Sequence, residues 1–282
     1  MGRSRSPPDP VVDNLKPALP YTAGALLKVQ QHIPPPPYGS SGYRRPFPRT
    51  HMRDYQRYGT PSLCCLANPP TETPPHPYPK MWTLIIDDQI ACSDGRGAQV
   101  VTCHFEGREA IQLVAKIFDP LYYNWNGDFD ITYVADEEYA CEAAAFQRLR
   151  DIKDADRMGY PGVQEALEGS IPTYHQSWTW ETRLLDGQCR DVRLILMSYI
   201  PYPSMKSIIE SGKARTIPAE TRMRLLARAL EIYCWLRYFG VDQHEFRNAQ
   251  YHGRPRAGAS RASRFRPLKG PRSTQLLVDL VR

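Results

Sequence analysis

The stretch Leu113-Val114-Ala115-Lys116-Ile117-Phe118 sets a lysine inside a run of strand-forming apolar residues. Such density of leucine, valine, isoleucine and phenylalanine predicts a buried strand. A buried ammonium is costly unless a carboxylate or phosphate meets it, so the fold has to supply a partner. The run Asp136-Glu137-Glu138-Tyr139-Ala140-Cys141-Glu142-Ala143-Ala144-Ala145-Phe146-Gln147-Arg148-Leu149 reads as a helix downstream of that strand, and Glu142 is its natural candidate. With Tyr139 one turn before it and Phe146 one turn after, Glu142 falls within the apolar stripe of the helix.

Outward from this pair the chain keeps the pattern of a folded domain. Trp82-Thr83-Leu84-Ile85-Ile86 predicts a strand, Cys92-Ser93-Asp94-Gly95-Arg96-Gly97 a turn, and Val100-Val101-Thr102-Cys103-His104-Phe105 a second strand leading to the one that holds Lys116. Three antiparallel strands followed by a helix make a small α+β lobe. Gly95 and Gly97 would let backbone amides approach an anion closely, although glycines in a hairpin also serve the turn alone. Arg193-Leu194-Ile195-Leu196-Met197-Ser198-Tyr199-Ile200-Pro201 predicts another buried strand. A helix is expected from about Pro218 to Phe239, with Met223, Leu226, Leu230 and Tyr233 at helical spacing and Gly240 past its end. Its polar exit, Gln243-His244-Glu245-Phe246-Arg247-Asn248, has the character of a functional loop.

The flanks are different in kind. Residues 1–80 hold 18 of the 27 prolines and carry 10 Lys/Arg against 4 Asp/Glu. Proline removes amide donors and favours extended polyproline geometry, so this stretch is expected to be a disordered tail that builds no core, with docking of its Pro/Tyr segments on a protein partner as the sharper role. Residues 81–245 are acidic, 17 Lys/Arg against 25 Asp/Glu, whereas residues 246–278 carry 8 basic residues and no acid. The formal charge of +6 therefore belongs to the flanks. With only Tyr251 and Phe265 as aromatics in the basic stretch, specific nucleic-acid binding is not expected.

Seven cysteines without C-x-x-C spacing argue against a disulfide framework or zinc module, and His244-Glu245 lacks the second histidine of a zinc-protease helix because Asn248 stands there. No run of about 18 apolar residues predicts a membrane span. The expectation is an intracellular protein, cytoplasmic or nuclear.

In the order of these parts, residues 81–282 resemble divergent fungal protein kinase-like proteins that lie near the aminoglycoside-phosphotransferase branch. Ala115-Lys116-Ile117-Phe118 resembles the third-strand lysine motif, Glu142 the glutamate of the first large helix, and Leu196-Met197-Ser198-Tyr199-Ile200 the adenine-receiving hinge. Gln243 to Asn248 resembles a worn catalytic loop, and Leu276-Leu277-Val278-Asp279-Leu280 the strand that presents a magnesium-binding aspartate.

The resemblance implies an α+β protein kinase-like fold, with a small antiparallel-sheet N-lobe and hinge over 81–200, one large helix, and an incomplete helical C-lobe over 201–282 that carries a basic insertion at 252–274. It implies ATP and Mg2+ as cofactors, with Lys116, Glu142, Gly95, Gly97, Met197 and Tyr199 binding the nucleotide, Glu245 as catalytic residue, and Asn248 and Asp279 on the metal. The departures imply impaired or absent phosphotransfer. Glu245 replaces the aspartate, Asn248 comes two residues early, Gln99 and Val100 continue where a third glycine belongs, and the chain ends soon after Asp279. The alternatives are an active ATP-dependent phosphotransferase on a protein or small-molecule hydroxyl, and a non-catalytic interaction module that docks a partner through the tail or the exposed C-lobe surface.

Overall fold

The computed structural model describes residues 12–37, 58–74, 76–125, 130–154, 171–203 and 205–241. Six strands, β1 (Leu26–His32), β2 (Met81–Ala91), β3 (Gln99–Phe105), β4 (Leu113–Phe118), β5 (Tyr174–Arg183) and β6 (Cys189–Ser198), close into an antiparallel barrel in the order β1-β2-β3-β4-β6-β5. Helix α1 (Pro61–Ala67) precedes β2, α2 (Ile131–Asp154) joins β4 to β5, and α3 (Met205–Glu210) and α4 (Ala219–Tyr238) follow β6.

Strand β1 makes the closure. Its Val29 lies opposite Trp82 of β2 on one side and opposite Trp180 of β5 on the other, so both edges of the sheet are consumed by one seven-residue strand. An open sheet would leave two rows of unpaired amides and carbonyls; β1 pairs with Met81–Ile85 on one edge and Ser177–Trp180 on the other. Leu27 and Val29 alternate with Lys28 and Gln30, a period-2 pattern that turns the apolar pair inward.

This arrangement corrects the expected protein kinase-like fold. The sheet is a closed barrel and not an open N-lobe sheet set on a helical C-lobe, and only α3, α4 and a short turn follow β6 among the described residues. Over residues 12–37 and 58–74 it equally corrects the disordered tail, since Tyr21, Leu27, Val29, Cys64 and Cys65 all belong to the main apolar core. Proline concentration misled because the prolines flank the strand: none lies between Pro20 and Pro34, which leaves Leu26–His32 free to pair.

Side chains fill the barrel. Leu84, Ile86, Val101, Cys103, Leu113, Ala115, Ile117, Val192, Leu194 and Leu196 share one interior cluster. At one end the cluster gives way to a buried ion pair. Arg190 reaches Asp119 through two parallel bonds of 2.5 and 2.8 Å, the Tyr21 hydroxyl donates to the same carboxylate at 2.5 Å, and the Leu121 amide donates at 3.1 Å. Four bonds to one carboxylate are what allow a charge to sit without solvent.

A second apolar cluster lies outside the barrel. Val100, Val114, Phe118, Ile195 and Met197 point outward and are covered by Tyr139, Ala143, Phe146 and Leu149 of α2, with Ile232 and Leu236 of α4 completing the layer. Asp130 starts α2 by accepting the amides of Thr132 and Tyr133 at 2.9 and 3.1 Å, the capping arrangement that satisfies otherwise orphaned donors. Strands β4 and β6 are thereby buried on both faces, which explains why their sequences read as continuous apolar runs.

If β1 closes the barrel, Val29→Asp should lower unfolding stability by more than about 3 kcal/mol, because it puts a charge into a fully buried site. Urea denaturation followed by circular dichroism measures this. A midpoint equal to that of the wild type would mean that the strand is dispensable.

Candidate functional site

The sequence of β4 places Lys116 on the outer face, between the outward-facing Val114 and Phe118, and directly opposite Val100 of β3 and Ile195 of β6. Helix α2 crosses this face and presents Glu142. The Lys116 Nζ lies 2.7 Å from Glu142 Oε2, and the two side chains are 8% and 3% exposed. The Phe118 ring centroid lies 5.7 Å from the same ammonium, inside the range of a cation–π contact. The partner inferred from the sequence is therefore the one the fold supplies.

Glu138, one turn earlier on α2, is a further member of the site that the sequence reading passed over. It accepts a 2.8 Å bond from the Tyr123 hydroxyl. Burial raises its carboxyl above the ordinary range, while the bond to Tyr123 and the charge of Lys116 pull it back. The i, i+4 spacing of Glu138 and Glu142 was the available signal, since positions four apart share one helix face.

The other expected binding residues are more scattered in their roles. Gly95 and Gly97, in the β2–β3 hairpin, have φ of 79° and 101°, a backbone region that glycine tolerates and other residues resist. The hairpin is folded onto the turn after β4: the Gly95 amide donates to the Tyr122 carbonyl at 2.9 Å, and a side chain at Gly97 would meet the Tyr123 ring at 3.8 Å. Gln99 staples the loop to itself, accepting the Ser93 amide at 2.9 Å and donating to the Gly97 carbonyl at 2.9 Å. The Gly95 amide is thus occupied by protein.

Met197 packs on the outer face of β6 within the apolar layer under α2, and Tyr199, partly exposed, follows the strand with its amide bonded to the Gln112 carbonyl at 3.4 Å. Glu245, Asn248 and Asp279 lie outside the described residues. Among the described residues no three His, Cys, Asp or Glu side chains are grouped to hold a metal ion, and no helix is long and apolar enough to cross a membrane.

A chain of hydrogen bonds runs beside the pair on the same outer face. Arg193 of β6 donates to the Thr179 hydroxyl of β5, Thr179 Oγ1 lies 3.0 Å from His32 Nδ1 on β1, and His32 Nε2 lies 2.5 Å from the Tyr139 hydroxyl of α2. Because the guanidinium can only donate, the Thr179 proton is directed to Nδ1, which leaves the ring proton on Nε2 toward Tyr139. Burial, seconded by the charge of Arg193, lowers the His32 pKa to about 3. The imidazole is neutral in the folded protein and joins β1 to the helix that carries Glu142.

Two outcomes follow for measurement. Glu142→Ala should cost about 3–5 kcal/mol, because it strands a buried ammonium, whereas the paired change Lys116→Met with Glu142→Leu should cost much less; equal losses in urea titrations would show the ion pair to be unimportant. Below pH 6.5 an unfolded His32 takes up a proton that the folded one refuses, so stability falls as pH drops from 6.5 toward 3, by up to about 1.4 kcal/mol per pH unit from this group. His32→Gln should flatten that decline between pH 6.5 and 4. Parallel profiles for variant and wild type would refute the assignment.

Comparison with protein-family models, with curated proteins and with solved structures finds no match to this chain, so its functional reading rests on the geometry of its own residues.

Proposed function

We propose that the protein binds ATP at the Lys116–Glu142 pair and transfers phosphate poorly or not at all. The observation that carries this reading is the ion pair itself: a strand lysine fixed at 2.7 Å by a helix glutamate, both almost fully buried, in an element order in which a glycine hairpin and the end of β6 flank the lysine strand. A lysine held this way presents a positioned charge to the α- and β-phosphates, and the glutamate sets its orientation. The likeness to kinase-like proteins is carried forward for these residues and not for the architecture, because a closed barrel replaces the two-lobed body.

The loop after the last helix favours binding over turnover, and the Gly95 amide, spent on Tyr122, leaves the phosphates to Lys116. The catalytic-loop candidate has glutamate where the resemblance calls for aspartate, and a base displaced by about 1 Å costs on the order of a hundredfold in rate. A protein-docking role is favoured separately by α4, where Met223, Leu225, Leu226 and Leu230 are all exposed.

Thermal unfolding with and without ATP and Mg2+ tests the proposal. At a hundredfold excess over Kd, ATP should stabilise the wild type by about 2.7 kcal/mol, and the shift should vanish in the Lys116→Met/Glu142→Leu variant, in which the pair is replaced without stranding a charge. Phosphate release should stay at the background rate. No shift in the wild type would end the nucleotide reading, and brisk ATP turnover would end the claim of impaired catalysis.

A further inference from the structure

Three basic side chains are buried on the strands of the barrel among the described residues, and their charges are met in different ways. Lys116 has Glu142 and Arg190 has Asp119. Arg193, 8% exposed, has no carboxylate in ion-pair contact among the described residues. Its guanidinium donates to two neutral groups, the Thr179 hydroxyl and the Thr71 carbonyl, and its Nε is buried without a hydrogen-bond partner. Asp136 reaches it through Thr71, whose hydroxyl donates to the Asp136 carboxylate at 2.6 Å.

Arg193 lines a groove of about 640 Å³ on the outside of β1, β5 and β6, walled on its far side by Glu72, Thr73 and His76. This volume is within the range of small-molecule sites. Gln31 lines it too, 6% exposed and with its Oε1 buried and unbonded. Two residues along from the Thr179–Arg193 cross-strand pair stand Glu181 and Asp191, directly opposite each other and both on the groove. Like charges facing across strands repel. Lys28 shares the groove, yet neither acid forms an ion pair with it among the described residues.

One end of the groove thus lacks an anion, and at the other two facing carboxylates share the single lysine that lines it. We infer that the groove binds a small zwitterion, its carboxylate on Arg193 and its ammonium between Glu181 and Asp191. Positions two apart on one strand face are about 7 Å apart along the strand, a separation matched by the carboxylate and side-chain ammonium of an extended amino acid such as L-lysine. An α-amino acid without a charged side chain is too short for both ends. The site is separate from the Lys116–Glu142 pair and does not rest on the ATP reading.

Calorimetric titration of the full chain with L-lysine tests this, with acetate and n-butylamine as single-charge controls. L-lysine should bind saturably, each control about tenfold or more weaker, because each satisfies one end only. Binding should be lost in Arg193→Met and weakened at least about tenfold in Glu181→Gln/Asp191→Asn, whose two positions are exposed and carry no fold risk. It should persist in Lys116→Met/Glu142→Leu. Absence of saturable heat with L-lysine, equal binding of either control, or unchanged affinity in Glu181→Gln/Asp191→Asn would overturn the inference.

Discussion

Closure of the sheet by β1 is the constraint from which the rest of the structure follows. A five-strand sheet running β2-β3-β4-β6-β5 would present unpaired backbone at β2 and β5, and β1 satisfies both edges at once. Once closed, the barrel has an interior with room for side chains alone, and the apolar set from Leu84 to Leu196 fills it. Polar chemistry is then excluded from the inside except at the Arg190–Asp119 end, where four hydrogen bonds compensate the carboxylate. Among the described residues, Lys116, Arg193 and the groove beside it all lie on the outer face.

That outer face is divided between two coverings. Helix α2 lies over β4 and β6 and contributes Glu142, Tyr139 and Phe146, whereas Glu72, Thr73 and His76 wall the groove beside Arg193. The two regions are joined through His32 and Tyr139. A neutral imidazole suits that junction, because a second positive charge beside Arg193 would add to a cation already lacking a carboxylate.

Much of this was legible in residue order. Strands β2, β3, β4 and β6, the helix holding Glu142 and the helix after Pro218 all announce themselves through apolar runs or 3.6-residue spacing, and the Lys116–Glu142 contact followed from the cost of a buried ammonium. Strand β1 was hidden because composition was averaged over 80 residues, while pairing depends on the short proline-free interval from Tyr21 to Ile33. Strand β5 was missed for another reason. Its outward residues Ser177, Thr179 and Glu181 alternate with Trp178 and Trp180, and a half-polar strand with a register shift between Tyr174 and Ser177 gives a weak apolar signal. Barrel closure itself is a long-range pairing of β1 with β2 and β5, and no local window of sequence contains it.

Parity is what makes the outer face chemically coherent. On β4, Lys116 shares its orientation with Val114 and Phe118; on β6, Arg193 shares its orientation with Asp191, Ile195 and Met197, while Arg190 belongs to the opposite, inward set. A one-residue slip of β6 would turn Arg193 into the barrel and expose Leu194, so the hydrophobic interior and the placement of Arg193 are fixed by the same register. The two buried cations that face inward and outward with carboxylate partners show that this fold can supply counter-charge when it is needed for stability. Arg193, on the same strand as Arg190, is denied one. The asymmetry is therefore a property of the sequence at Thr179 and Thr71, where neutral oxygens meet the guanidinium. A threonine-to-acid change at position 179 would fill the gap from within the protein.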